Sequence, residues 1–384
     1  MIGVYGPTST AGVFSTALWT VYFLILIGVS SLLMIRKGGI SGYWQFANSI
    51  LLITLIVLGT VISPFYEYRW GGLIGYVALA LLLTLNFRNV SGRNYLPFVF
   101  KLTNIINIVF GAAIVLGSEP VRAAFVQYYS AFSPDLVDFM TSIGKPVLTF
   151  GTHSLAAFFF YLLFWMNFET YKIRGRYHNL VAAVGYVVLG CCLLSMSAFI
   201  LMPIAIFQIV WYAAHKHFRL TIAALSMAVV LTVYIVQRSE LTLLALDFAE
   251  SSVTSHLPSS TSGLEGRFSE LGTLHTTVAY LKDRPFMPVG VGYRSDLFFG
   301  DSGPVEYYLR GTILLAISIY AGLFAFLRKN LISKSDAYHL FAVIIGFELG
   351  LTALGNIRVL CFLPVAILYL NDLRRLRQPS ALAV

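Results

Sequence analysis

The residues best suited to chemistry in this sequence are arginines that fall outside its long apolar runs. If the runs alternate across a membrane, ten basic residues lie on one side, and eight of the ten are arginine. A guanidinium makes bidentate contacts with phosphate and keeps its charge near lipid, where lysine can lose its proton. This face is therefore predicted to bind a phosphorylated ligand, although such arginines also serve as headgroup anchors or surface ion pairs. The ten residues are Arg69, Arg122, Lys145, Arg238, Arg267, Lys282, Arg284, Arg294, Arg310 and Arg358.

Three further residues are candidates for moving a proton. His153 opens the fifth apolar run, and an ordinary histidine titrates close to neutral pH. Its alternative role is an interfacial side chain with one hydrogen bond. Asp301 and Glu306 lie on either side of a helix start, where carboxylates are stabilised even without chemistry. Because Arg310 follows Glu306 by four residues, a helical ion pair is the alternative for both.

Glu348 falls inside an apolar run, and Arg358 lies at the outer edge of the next one. Arg358 precedes Asp372 by only thirteen uncharged residues, so it must lie in the outer leaflet or face a cavity. Ionisable groups at such depth are functional by default. Glu348, in the preceding run, is a candidate partner for Arg358, and a protonated glutamate bonded to serine is the alternative.

The elements that must position these residues are membrane helices. The chain has 384 residues, of which 58% are hydrophobic and 11% charged, against roughly 25% charged in globular domains. This composition excludes a soluble protein and predicts an all-α polytopic membrane protein with about eleven spans. The spans are expected near 13–35, 41–62, 71–87, 96–117, 152–169, 179–196, 198–214, 219–236, 304–327, 337–355 and 357–373.

The short loops set the orientation. Alternation places 16 basic and three acidic residues on one side, which is therefore predicted to be the cytoplasm. The net charge of +9 is explained by this bias, and nucleic acid is not expected as a partner. The division of 179–214 into two spans, near Ser195–Ser197, is the weakest step, since a single bent helix would move the N-terminus to the cytoplasm.

Three regions follow from this topology. Residues 1–236 hold spans 1–8 with an external loop near 118–151, residues 237–303 form a large external loop, and residues 304–384 hold spans 9–11 and a basic tail. In the large loop, an amphipathic stretch at 240–248 and a mobile Ser/Thr-rich flap at 251–262 are expected. An amphipathic surface helix from Phe268 to Leu281 and a tight turn at 288–292 follow, and Pro304 is suited to the first turn of a helix.

No metal or cofactor is predicted. The three cysteines, Cys191, Cys192 and Cys361, lie inside apolar runs and have neither disulfide nor zinc spacing. The outer segments contain no D-x-D pair for a divalent cation. Any reaction is therefore expected to proceed without a metal.

The large loop and the span after it resemble the O-antigen polymerase and ligase superfamily. The resemblance rests on Gly266-Arg267 before the surface helix, the Pro-Val-Gly-Val-Gly turn, and Asp-Ser-Gly-Pro opening the next span. It covers about 55 residues closely and the rest by topology, with residues 145–157 also similar to the segment that leads into the family's span before the hairpin. The resemblance implies a glycosyltransferase of the membrane-embedded C type that uses glycans carried on undecaprenyl pyrophosphate.

Within this superfamily, ligases typically carry a histidine where this chain has Asp301, so the Wzy-type repeat-unit polymerases are favoured. Arg267 matches the arginine expected to contact pyrophosphate. One departure is the hairpin turn, where many members have Ser-Arg but residues 194–198 contain no arginine. Arg358 or Arg69 is expected to replace it.

The polymerase hypothesis assigns roles to the candidate residues. Arg267, Arg284 and Arg358 are the first choices for stabilising the departing lipid pyrophosphate, with Arg69 and Arg310 after them. His153 is the first choice for the base, followed by Asp301 or Glu306. The partners would be undecaprenyl-pyrophosphate-linked glycans and membrane lipids, with a chain-length regulator as a further candidate, at the periplasmic face of a bacterial inner membrane. The alternatives are a ligase of the same superfamily and a lipid-linked oligosaccharide flippase or transporter.

Overall fold

The computed structural model describes most of the helical core. The residues it describes are 42–130, 147–151, 153–193, 195–216, 274–297 and 302–377, with isolated positions at 25, 28, 32, 36, 39, 137, 138, 141 and 272. The predicted spans near 13–35 and 219–236, the amphipathic stretch at 240–248 and the flap at 251–262 lie outside these segments, apart from the isolated positions.

The described segments are almost entirely helical. The helices are α1 Tyr43–Val61, α2 Gly71–Thr84, α3 Leu96–Val115, α4 Glu119–Ser130, α5 His153–Arg174, α6 Tyr177–Cys191, α7 Met196–Lys216, α8 His275–Asp283, α9 Gly303–Asn330, α10 Lys334–Glu348 and α11 Ile357–Arg377. Two short strands, β1 Glu67–Tyr68 and β2 Gly292–Tyr293, pair antiparallel with Glu67 opposite Tyr293.

Several helices have the length and composition of membrane spans. Within the described part of the chain, four helices are long and apolar enough to span a membrane, and two shorter helices are also apolar. The described part of the chain is thus mostly helical, with the helices expected of an all-α membrane protein. The four are Tyr43–Val61, Leu96–Val115, Ser197–Lys216 and Gly303–Asn330, and the shorter ones are Leu73–Thr84 and Tyr177–Cys191.

Residues 179–214 form two helices, as predicted. α6 ends at Cys191 and α7 begins at Met196, so the break comes a few residues earlier than expected. The two helices pack closely after the turn, because a Cβ at Gly190 would collide with the side chain of Met202.

Helix α5 is the centre of the core. Its residues from Leu155 to Phe164 are at most 1% exposed, and it packs against α6, α7 and α11. The end of the predicted external loop near 118–151 also packs inside, since Leu148 and Phe150 are fully buried. Such burial on all sides is typical of a central helix in a bundle.

Helix α9 is broken at Gly311 and Thr312, where the backbone leaves the helical region and Thr312 has φ +65°. The predicted tight turn supplies replacement hydrogen bonds. The N–H of Val289 donates to the carbonyl of Leu309, and that of Gly290 to the carbonyl of Arg310, both at 2.9 Å. The external loop is therefore anchored into the bundle at the break, because buried carbonyls need donors.

The opposite end of the bundle is held by charged residues. Arg374 bonds Asp336 from α10 and Glu169 from α5, at 2.6 to 2.8 Å. Arg375 bonds the carbonyl of Val90 in the loop after α2. These contacts gather segments that the basic-loop pattern assigns to the cytoplasm.

Candidate functional site

The strand pair holds one predicted arginine over an aromatic ring. The backbone N–H of Arg69 donates to the carbonyl of Val291 at 2.9 Å, which continues the β1–β2 pairing. The guanidinium carbon of Arg69 lies 3.4 Å from the centroid of the Tyr293 ring. Arg69 is exposed, so this cation–π contact leaves its N–H groups accessible to a ligand.

Two further arginines, Arg284 and Arg294, lie near the ring of Tyr280, a residue of α8. The guanidinium carbon of Arg284 is 5.8 Å from the Tyr280 ring centroid, and that of Arg294 is 5.7 Å away. Arg294 also lies 5.4 Å from Phe65, whose ring centroid is 5.7 Å from that of Tyr280. We call Arg69, Arg284 and Arg294, with the rings of Phe65, Tyr280 and Tyr293, the outer arginine cluster.

The positive charge of one arginine in the cluster, Arg294, is compensated by a carboxylate. Arg294 donates two hydrogen bonds to Asp296, at 2.5 and 2.6 Å, and both side chains are exposed. These bonds lower the pKa of Asp296 and raise the pKa of Arg294. The pair therefore stays ionised at neutral pH. Among the described residues, Arg69 and Arg284 have no carboxylate within ion-pair distance.

The hydroxyl of Tyr280 is the unusual group in this cluster. Tyr280 is 7% exposed, and its hydroxyl oxygen is buried with no hydrogen-bond partner in the described part of the chain. Leaving such a group unpaired costs about 1–3 kcal/mol. A hydroxyl of this kind beside exposed guanidinium groups is suited to bind an anionic ligand.

Beneath the cluster, two predicted residues form a buried ion pair. Arg310 donates to Glu306 at 2.8 Å, across one turn of α9, and also to the carbonyl of Gly290 at 2.8 Å. The hydroxyl of Tyr76, from α2, donates to the same oxygen of Glu306 at 3.0 Å. The helical alternative is therefore the observed geometry, and Arg310 ties the tight turn to α9.

Glu348 lies beside this pair and is saturated with donors. Its carboxylate accepts from the hydroxyls of Tyr307 and Tyr320, at 2.6 and 2.9 Å. It also accepts from the backbone N–H groups of Ala353 and Leu354, at 2.9 and 2.7 Å. These bonds explain why α10 ends at Glu348, well before the predicted limit of 355, and they replace the expected contact with Arg358 or with serine.

Arg358 is 1% exposed, at the start of α11. Its guanidinium donates to the carbonyl of Phe150 at 2.8 Å and lies 5.7 Å from the Phe159 ring. Arg358 thus holds the segment that leads into α5, three residues before His153. It is a buried group, unlike the exposed Arg69 and Arg284.

The predicted site residues therefore divide into separate groups. Arg69 and Arg284 lie in the outer arginine cluster, Glu306 and Arg310 in the ion pair below it, and Arg358 against Phe150. His153 is the first residue of α5, whereas Arg267 and Asp301 lie outside the described residues.

Sequence reasoning missed two members of the site. Arg294 was counted among the outer basic residues but was given no role in the site. Its position just after the Gly-Val-Gly turn was the one signal that could have singled it out. Tyr280 carried no signal beyond its place on a predicted surface helix, because an unpaired hydroxyl is a property of packing.

In the described residues, no group of three or more histidine, cysteine, aspartate or glutamate side chains could hold a metal. No family model, curated protein or solved structure matches the chain. The functional interpretation therefore depends on the residues of this chain and their geometry.

Proposed function

We propose that this protein is a glycosyltransferase that polymerises lipid-pyrophosphate-linked oligosaccharide repeat units into a surface polysaccharide. The observation that carries the proposal is the outer arginine cluster, in which the exposed Arg284 and Arg294 lie by the ring of Tyr280, whose buried hydroxyl has no hydrogen-bond partner among the described residues, and the exposed Arg69 lies over Tyr293. Such an arrangement is suited to a diphosphate at a membrane surface. The proposed location is the periplasmic face of a bacterial inner membrane.

The reaction makes one glycosidic bond and breaks one phosphoester bond. The growing glycan on one lipid pyrophosphate is the donor, and a sugar hydroxyl of a new lipid-linked repeat unit attacks its anomeric carbon. The bond from that carbon to the pyrophosphate oxygen breaks, and the electron pair leaves with the lipid pyrophosphate. The acceptor proton passes to a base.

In this proposal Arg69 and Arg284 hold the pyrophosphate, because each is exposed and neither has a carboxylate of the described residues within ion-pair distance. Arg294 already donates to Asp296, so this ion pair adds no net charge to the cluster. Tyr280 donates its hydroxyl to a phosphate oxygen. Preorganised donors of this kind stabilise charge that develops on the leaving group.

His153 remains the first choice for the base, followed by Asp301 and Glu306. Glu306 already accepts from Arg310 and Tyr76, so we assign it the role of positioning Arg310 and the tight turn. A base must come within hydrogen-bond reach of the acceptor hydroxyl, and His153 opens a helix beside the segment that Arg358 holds.

The test compares Arg284→Ala with Lys282→Ala, which removes the same charge from a neighbouring exposed position. Purified protein is given lipid-linked repeat units, and chain extension is followed by gel electrophoresis. We expect Arg284→Ala to lower the rate by about 10²–10³, as for loss of one transition-state donor, and Lys282→Ala to leave it unchanged.

Cells lacking the protein provide the second arm. Single repeat units on the lipid support the polymerase. Long chains that persist unattached to lipid A would instead identify the ligase, and loss of repeat units from the outer face would identify the flippase. Equal activity of the parent and Arg284→Ala would remove the outer arginine cluster from the site.

A further inference from the structure

A large pocket among the described residues lies at the other end of the bundle, away from the outer arginine cluster. It is an open pocket with a volume of about 770 Å³, lined by the ends of α5, α7 and α11 and the start of α10. This volume is in the range of ligand sites in proteins. Its lining combines charged side chains with an aromatic wall.

The charges in the pocket favour an anion. Glu169 and Asp336 are both compensated by Arg374, and Glu169 also pairs with Lys172. Arg377 lines the same pocket, is exposed, and has no carboxylate within ion-pair distance in the described segments. Three cations thus face two carboxylates, and neither carboxylate is left to hold an ammonium group.

The start of α10 adds hydrogen-bond donors. Ser333 caps this helix by accepting from the N–H of Asp336 at 3.3 Å, and Ser333 and Ser335 both line the pocket. Helix N-termini favour negative charge because their N–H groups have no intrahelical acceptors. The N-terminus of α10 therefore adds to the preference of the pocket for an anion, which the excess of cations already favours.

The wall formed by α7 connects the pocket with the lipid-facing surface. Phe207 and Trp211 line the pocket, yet they are 63% and 59% exposed. Apolar surface therefore continues from the charged pocket to the face that a bilayer would cover. Tryptophan is enriched where membrane and water meet. A ligand that fits both parts has an anionic head and apolar chains.

We propose that this pocket binds the headgroup of an anionic phospholipid, with its acyl chains along the outward face of α7. Lys172 and Arg374 compensate the two carboxylates, so Arg377 supplies the net positive charge for the phosphate, and the serine hydroxyls donate to its oxygens. Basic pockets between membrane helices recognise such headgroups. This site is separate from the proposed polymerase site and does not depend on it.

The experiment measures lipid retention by the purified full chain in native mass spectrometry. Phosphatidylglycerol and phosphatidylcholine are offered in equal amounts, and we expect phosphatidylglycerol to be retained preferentially. Arg377→Ala should weaken its binding about fivefold, the value of one cation near a charged lipid surface. Arg93→Ala removes an exposed arginine from the same end of the bundle but not from the pocket, and should leave binding unchanged.

Three results would overturn the proposal. Equal retention of the two lipids would exclude selection by charge, and equal weakening by Arg377→Ala and Arg93→Ala would indicate general surface attraction. Displacement of phosphatidylglycerol by glycerol phosphate without chains would identify a site for a soluble phosphate ester. Thermal unfolding of Arg377→Ala should match the parent, so that weaker binding is not a folding defect.

Discussion

Replacing Glu306 separates its role in holding the fold from a direct role as the base. Glu306→Gln keeps an oxygen that can accept from Tyr76 but leaves the buried guanidinium of Arg310 without its carboxylate. Breaking a buried ion pair from one side costs about 3–5 kcal/mol. We therefore expect a large fall in the free energy of unfolding, measured in detergent micelles with a chemical denaturant.

The double variant Glu306→Gln with Arg310→Met removes the uncompensated charge. It leaves the carbonyl of Gly290 without its donor from Arg310, which costs about 1–3 kcal/mol. The double variant should therefore be about 2 kcal/mol more stable than Glu306→Gln alone, a coupling typical of residues in contact.

The result that refutes this reasoning is a double variant no more stable than the single one. Chain extension per folded molecule supplies the second readout. If Glu306 only positions Arg310 and the turn, the double variant keeps measurable extension. A double variant that is stable but inactive would place Glu306 or Arg310 in the reaction itself, and an active Arg310→Met single variant would then identify Glu306 as the base.

Two other substitutions test the outer loop. Tyr280→Phe removes a buried hydroxyl that has no partner in the described residues, so stability should hold or rise by up to about 1 kcal/mol. The KM for lipid-linked donor should rise at the same time, and a loss of stability would show that the hydroxyl is already satisfied. Gly290 has φ +54°, and a Cβ added there would collide with the backbone of Thr60. Gly290→Ala should therefore lower the free energy of unfolding, measured with a denaturant, by at least about 1–2 kcal/mol. The matched control is Gly346→Ala in α10, where nothing lies within 4 Å of the new Cβ, and equal effects of the two would contradict the close packing at Gly290.

Much of the helical framework could be predicted from the sequence. Uncharged runs of about twenty residues require helices in a membrane, because only a helix satisfies every backbone group within one segment. The break in 179–214, the helix start at Pro304 and the turn at 288–292 were also local signals, and the structure contains all three. The four-residue spacing of Glu306 and Arg310 left an ion pair and a substrate role as alternatives, and the structure contains the ion pair.

The site itself was less predictable, because its members meet through distant parts of the chain. Arg358 reaches the carbonyl of Phe150, 208 positions away, and Tyr76 reaches Glu306 across 230 positions. Which arginines are exposed and which are buried follows from these contacts. The sequence ranked Arg358 beside Arg284, whereas packing separates them into a buried and an exposed group.

The amino-acid sequence alone indicated a helical membrane protein with charged loops, because hydropathy and charge act through short-range rules, and it predicts that one face is rich in arginine. Only the tertiary structure decided that α9 breaks where the turn at Gly290 supplies hydrogen bonds, and that Glu348 is held by four donors. It also decided which cations face the pocket at the other end. Each of these depends on the relative positions of helices, which no spacing along one segment encodes.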